Sequence, residues 1–167
     1  MIIVYASNTG YTKQYAEMLA EELGLSAFPV EKIPGYHKGS EAIFLGWLMA
    51  ERVMGLKKAQ STCNVRCIVG VGMSPDDGEI AERLRANCKA GPAMPVFYLQ
   101  GGYDYSKLKG PFKAIMSLKQ KEILGRFDGQ SDEEKQANPV YKMVTEGYSV
   151  VSRDKLAPVV AWAKSAR

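Results

Sequence analysis

The chain has 167 residues, of which 46% are hydrophobic and 24% charged, with a formal net charge of +4. That length suits one domain burying roughly two thirds of its unfolded surface, so a core needs neither a metal nor a disulfide staple. The start MIIVYASNTG has no basic region ahead of its short apolar run, and nothing approaches the ~20 apolar residues of a membrane span. Neither a signal peptide nor a transmembrane helix is expected, and the expected location is the cytoplasm.

In chain order, Ile2–Ala6 is a run of β-branched and aromatic residues that reads as a buried parallel strand. Tyr11, Tyr15, Met18, Leu19 and Leu23 mark one side of a helix, with Lys13 and Glu17 spaced to pair outside it and Gly24 ending it. Residues 27–30 read as a second strand. Residues 42–45 (AIFL) read as a third, followed by a helical stretch through Met54. Residues 67–71 (CIVGV) make the fourth. Ser74-Pro75-Asp76-Asp77 offers a capping hydroxyl, a proline at the first position and two acids, a helix start for a segment running to about Cys88. Residues 95–99 form the fifth strand, followed by a glycine pair and a helix over about 107–124. Residues 129–139 (GQSDEEKQANP) read as a polar surface loop. A last helix over about 154–166 turns Leu156, Val159, Val160 and Ala163 inward. This alternation predicts a single α/β domain over residues 1–167, a doubly wound five-stranded parallel sheet with helices on both faces. Ligands on such sheets sit beyond the carboxyl ends of the strands, near the switch in strand order.

Cys63, Cys67 and Cys88 lack the partners of a zinc or cluster site, and the only histidine, His37, stands apart in GYHKGS. No metal site is expected, and Cys67 and Cys88 read as small core residues. The positive charge is concentrated. Residues 103–126 hold six basic side chains (Lys107, Lys109, Lys113, Lys119, Lys121, Arg126) and two acids, leaving sixteen of each sign elsewhere.

The loop after the first strand is Ser7-Asn8-Thr9-Gly10-Tyr11-Thr12. Its backbone N–H groups and the following helix dipole suit an anion, and hydroxyls at Ser7, Thr9 and Thr12 add donors without adding charge. With no lysine in the loop and no triphosphate or dinucleotide glycine motif in the chain, this neutral cradle fits a terminal monophosphate ester. The plainer reading of the same residues is a helix cap and a tight turn.

SNTGYT, placed directly after the first strand, resembles the S/T-x-T-G-x-T phosphate loop of the flavodoxins. The resemblance implies a flavodoxin-like fold, FMN as cofactor, and electron transfer through the flavin. It also implies a cover for the flavin ring from Gly46, Trp47 and Leu48, with the indole of Trp47 as a stacking face; core packing is the alternative for Trp47. From Gly72, Met73 and Ser74 it implies contacts to the polar ring edge. That last loop holds no aromatic residue for a second stacking wall.

Flavodoxins are strongly acidic and this chain is slightly basic. It looks more like the branch that includes menaquinone-dependent protoporphyrinogen oxidase. The shared features are Gly101-Gly102-Tyr103-Asp104-Tyr105 after the fifth strand and a basic amphipathic helix carrying Phe112, Ile115, Met116 and Ile123 among Lys113, Lys119 and Lys121. Tyr103, Asp104 and Lys113 are candidate contacts for a substrate or partner. The expected function is electron transfer through FMN. The alternatives are an FMN-dependent oxidase or dehydrogenase of the protoporphyrinogen oxidase type and a non-redox interaction module on the same fold. Expected partners are a redox protein, a quinone or another small molecule, with peripheral membrane contact through the basic helix. That helix has a second reading, a core-packed helix with a solvated lysine face. Nucleic acid is not expected, because the aromatic residues are not interleaved as a stacking platform.

Overall fold

The computed structural model describes residues 1–108 and 110–166; Lys109, one of the six cations of the basic segment, lies outside the described residues. Strand β1 (Ile2–Ala6) leads into helix α1 (Tyr11–Leu23), strand β2 (Ala27–Pro29) and the long strand β3 (Glu41–Met49). Then come β4 (Arg52–Val53), α2 (Leu56–Thr62), β5 (Asn64–Gly72), α3 (Ile80–Asn87), β6 (Val96–Gln100) and β7 (Gly102–Tyr103). The last part holds α4 (Pro111–Gly125), α5 (Asp132–Ala137), α6 (Pro139–Glu146), β8 (Tyr148–Ser149) and α7 (Ala157–Ser165).

Five parallel strands stand in the order β2-β1-β3-β5-β6. This is the flavodoxin-like doubly wound order, whose switch point lies where β1 meets β3. The fold class expected from the sequence is therefore observed. Strand β1 alternates across the sheet: Ile2, Val4 and Ala6 join Phe44, Ile68 and Leu84 on one face, and Ile3 joins Tyr15, Leu19, Ile43, Val69 and Val159 on the other. Burial on both faces explains why the central strands read as continuous apolar runs. Helices α1 and α7 cover the second face, and α1 is tied to the sheet's far strand, where Tyr15 Oη donates to the Gln100 carbonyl at 2.7 Å.

Several expected elements are corrected. The helical stretch through Met54 is strand: β3 runs on to Met49, turns, and pairs antiparallel with β4 in the register Leu48↔Val53 and Met49↔Arg52. The two turn residues, Ala50 and Glu51, have φ of 47° and 57°. Two left-handed residues make the tight turn that matches strand twist, normally an Asn-Gly signal. Here the turn is held from outside, by Arg83 Nε donating to Glu51 Oε1 at 2.9 Å and Asn87 Nδ2 donating to the Glu51 carbonyl at 3.3 Å. Helix α3 starts at Ile80, not beside Ser74, because Asp77 Oδ1 accepts from the N–H groups of Glu79 and Ile80 at 3.0 and 2.9 Å.

The helix expected from Lys107 begins at Pro111, and residues 105–107 form a separate 3-10 turn. The polar tract at 129–139 is not loop throughout, since α5 occupies Asp132–Ala137 behind a full capping box. Ser131 Oγ accepts from the Glu134 N–H, and Glu134 Oε2 accepts from the Ser131 N–H at 2.8 Å. No helix among the described residues is long and apolar enough to cross a membrane.

Candidate functional site

The carboxyl ends of β1, β3 and β5 open onto one cleft of about 410 Å³, within the range of small-molecule sites. Its floor comes from the loop after β1 and the start of α1, through Asn8, Thr9, Tyr11 and Thr12. Trp47, Leu48 and Met49 at the end of β3 form one wall; Val71, Gly72 and Met73 at the end of β5 form another. Tyr103 and α4 close the far side, with Phe112, Ile115, Met116 and Lys119 facing in. The lining is chiefly apolar and aromatic, and Lys119 is the one charged residue among the described residues that line it.

The loop after β1 takes its shape from Gly10, whose φ of 95° an L side chain rarely adopts. Ser7 Oγ accepts from the Gly10 N–H at 3.1 Å, so this hydroxyl also serves the turn itself. Thr12 sits in the first turn of α1 and is only 2% exposed. It borders the cleft, and among the described residues no buried side-chain nitrogen or oxygen is left without a hydrogen-bond partner.

Trp47 lines the cleft and meets Phe112 edge to face, with ring centroids 4.8 Å apart. Met73 lines it too, and its carbonyl is occupied internally, accepting from Gln100 Nε2 at 3.1 Å and from Tyr148 Oη. Burial raises the phenol pKa values of Tyr11 and Tyr103 above the ordinary 10.0. Both phenols stay protonated at neutral pH and can donate hydrogen bonds into the cleft.

Six sequence candidates do not line the cleft, and two of them, Ser7 and Gly10, bond to each other within the turn after β1. Gly46 lies within β3 under the hairpin, where a Cβ would sit 2.5 Å from Val53 Cγ1 and 2.6 Å from the Met54 carbonyl oxygen. Ser74 offers its carbonyl to Tyr98 Oη. Asp104 caps the 105–107 turn, accepting from the Ser106 N–H at 3.0 Å and pairing with Lys107 at 2.9 Å. Those hydrogen bonds from Ser106, and then Lys107, hold its carboxyl below the usual range. Lys113 is not part of the lining, and its Nζ lies over the Tyr105 ring, 5.6 Å from the centroid. The structure brings in residues that sequence reasoning did not place there, chiefly Leu108, Phe112, Ile115 and Met116. The apolar stripe of α4 was the available signal, but nothing local showed that it faces a cleft rather than the core.

Of the two readings of the basic helix, core packing is the one the structure does not show. None of its residues is buried; Ile115 is 53% and Leu118 72% exposed. It is a cover over the cleft and not a core-packed helix.

No protein-family model matches the chain, and no curated protein is similar to it in sequence. A solved structure of a flavodoxin from the domain Archaea matches 59% of this chain and 81% of its own length, at 15% identity and a TM-score of 0.38. A likeness that loose carries no argument, and the flavodoxin-like fold rests on the strand order described above.

Proposed function

We propose that the chain binds FMN in this cleft and passes electrons through it. The observation that carries the reading is the single cleft beyond the carboxyl ends of β1, β3 and β5, where a hydroxyl-rich helix N-terminus (Thr9, Thr12) meets an apolar, aromatic lining (Trp47, Tyr103, Phe112). Asn8, Thr9 and Thr12 would hold the phosphate end, helped by the α1 dipole. Trp47, Met73, Tyr103 and Phe112 would surround the ring, so Phe112 and Tyr103 offer the second aromatic wall that the loop at Gly72 lacks. Bound FMN supplies the one- and two-electron chemistry, while the chain orients it and excludes water.

Electron transfer is favoured over proton abstraction from a small molecule. The titratable groups lining the cleft among the described residues are Tyr11, Tyr103 and Lys119. The two phenols are held protonated, and no carboxylate or histidine joins them to act as a base. For a partner we infer an acidic protein or an anionic membrane surface on the outer side of α4, where Lys113, Lys121 and Leu118 are exposed.

The deciding experiment is denaturing release and chromatography of whatever flavin the purified or flavin-reconstituted chain retains. FMN at about one per chain supports the reading; FAD, or no flavin at all, removes it, and the second outcome favours an interaction module. Reversing Lys113 and Lys121 to glutamate tests the partner. Reoxidation by the partner should slow, and more so at low salt where the field reaches furthest, while FMN stays bound.

A further inference from the structure

Two successive non-glycine residues hold left-handed backbone at the rim of the cleft. Ala50 and Glu51, with φ of 47° and 57°, make the turn between β3 and β4. Ala50 also lines the cleft, in line with Trp47, Leu48 and Met49. L residues rarely adopt this conformation, and two in a row persist only where their surroundings hold them. Neither residue is the Asn or Gly that makes such a turn unaided, so the restraint lies outside the turn.

It comes from α3. Ile80 and Leu84 are buried and seat this helix on the sheet. Leu84 lies so close over Gly70 of β5 that a Cβ there would stand 2.5 Å from Leu84 Cδ1. Arg83 and Asn87, four residues apart, therefore share one side of a helix that cannot shift. Both reach Glu51. Arg83 Nε donates to its Oε1 at 2.9 Å, and Asn87 Nδ2 donates to its carbonyl at 3.3 Å, so side chain and backbone are held together. The far end of the same guanidinium donates through Nη2 to Asp77 Oδ2 at 2.7 Å, with Glu79 at 3.9 Å from Nη1. Asp77 is fixed in turn, because its Oδ1 accepts from the N–H groups of Glu79 and Ile80. A planar guanidinium can meet two carboxylates at once in a set geometry. Arg83, Glu51 and Asp77 do not themselves line the cleft.

We infer that Arg83 is a positioning residue: through Glu51 it fixes the wall of the cleft that Trp47 to Ala50 form, and Asp77 orients it. What this wall touches rests on the FMN reading; the restraint on the hairpin does not. A wall held in place before the ligand arrives saves the ordering that binding would otherwise require. In the FMN reading that wall borders the ring and not the phosphate end. Loss of Arg83 therefore weakens FMN and riboflavin alike.

The test uses the full chain and a second turn. The Met54 N–H donates to the Trp47 carbonyl at 2.9 Å across the hairpin, so its hydrogen exchange reports the turn without any ligand. Arg83→Met should speed that exchange. It should also weaken FMN and riboflavin by one common factor, roughly threefold or more, the scale of a partly exposed ion-pair network. The same substitution is then made in the Ala50→Asn/Glu51→Gly chain, whose turn takes two left-handed residues unaided. There Arg83→Met should alter neither the exchange nor the two affinities, whatever the turn substitutions do by themselves. Met54 exchange indifferent to Arg83→Met in the original turn would overturn the inference. So would an equal effect of Arg83→Met in both turns, which would make it a general support of α3, or a loss confined to FMN. The expected exchange pattern in a chain that binds no flavin would uphold the restraint while removing the FMN reading.

Discussion

The indole of Trp47 and the phenyl ring of Phe112 meet edge to face, with planes at 80° and centroids 4.8 Å apart. One ring ends the central strand β3, and the other opens helix α4, which contributes no buried residue of its own. Such a pair contributes about 0.5–1.5 kcal/mol beyond its area. Replacing Phe112 by alanine should therefore leave the global denaturation midpoint nearly in place while α4 loosens. Hydrogen exchange of the α4 amides should accelerate and Trp47 emission should shift to the red; a large loss of global stability would show that α4 belongs to the core.

Thr9→Ala/Thr12→Ala should weaken FMN binding a hundredfold or more, because each hydrogen bond to a charged phosphate contributes ~1.5–3 kcal/mol. Thr12→Ala alone should lower the stability of the apo chain only modestly, since Thr12 stands at the border of the cleft in the first turn of α1. Fluorescence titration with FMN and urea denaturation of the apo chain check the two halves separately. Equal FMN affinity in the folded double variant would place the phosphate elsewhere.

Gly46→Ala should destabilise without touching the cleft lining. Its Cβ would fall 2.5 Å from Val53 Cγ1, 2.9 Å from Phe44 Cε1 and 2.6 Å from a backbone oxygen that cannot swing aside. Overpacking of this kind costs about 1–3 kcal/mol. Urea denaturation should show the drop. If the FMN affinity of the folded fraction collapsed instead, Gly46 would have to be counted a binding residue.

Burial pushes the phenols of Tyr15 and Tyr98 above their ordinary 10.0, and both donate hydrogen bonds, to the carbonyls of Gln100 and Ser74. A folded-state pKa above the unfolded value means stability fully present below about pH 10 and lost as pH rises through the folded values. Denaturant midpoints measured from pH 8 upward should fall beyond pH 10, in step with phenolate absorbance at about 295 nm. Tyr98→Phe should be less stable at neutral pH by about 1 kcal/mol for the lost hydrogen bond, yet fall less steeply in alkali. An equal slope in both proteins would exonerate Tyr98.

The elements legible in the sequence are those whose signal is local. Strand β1 and helix α1 lie where the residue pattern puts them, because a doubly buried strand needs an unbroken apolar run and Tyr11, Tyr15 and Leu19 repeat at helical spacing. The Ser131–Glu134 capping box was equally local, though it was read as loop because the tract around it is uniformly polar.

Non-local packing decided the rest. Ala50 and Glu51 carry no turn signal, and their left-handed geometry stands because Arg83 and Asn87 of α3 hold Glu51 from across the chain. That hairpin alone converts an expected helix into strand, carries Trp47 to the mouth of the cleft and leaves Gly46 beneath it. The SNTGYT loop, read by itself, is neutral. Lys13 and Lys107 border one hollow beside it only because α1 and the turn after β7 meet beyond the same end of the sheet. Sequence thus determined much of the strand-and-helix alternation and the place of the SNTGYT loop at the end of β1, since neighbouring residues set backbone preference and periodicity. The charge around that loop and the walls of the cleft were decided by tertiary structure, because strand order and helix docking bring together side chains that no local pattern relates.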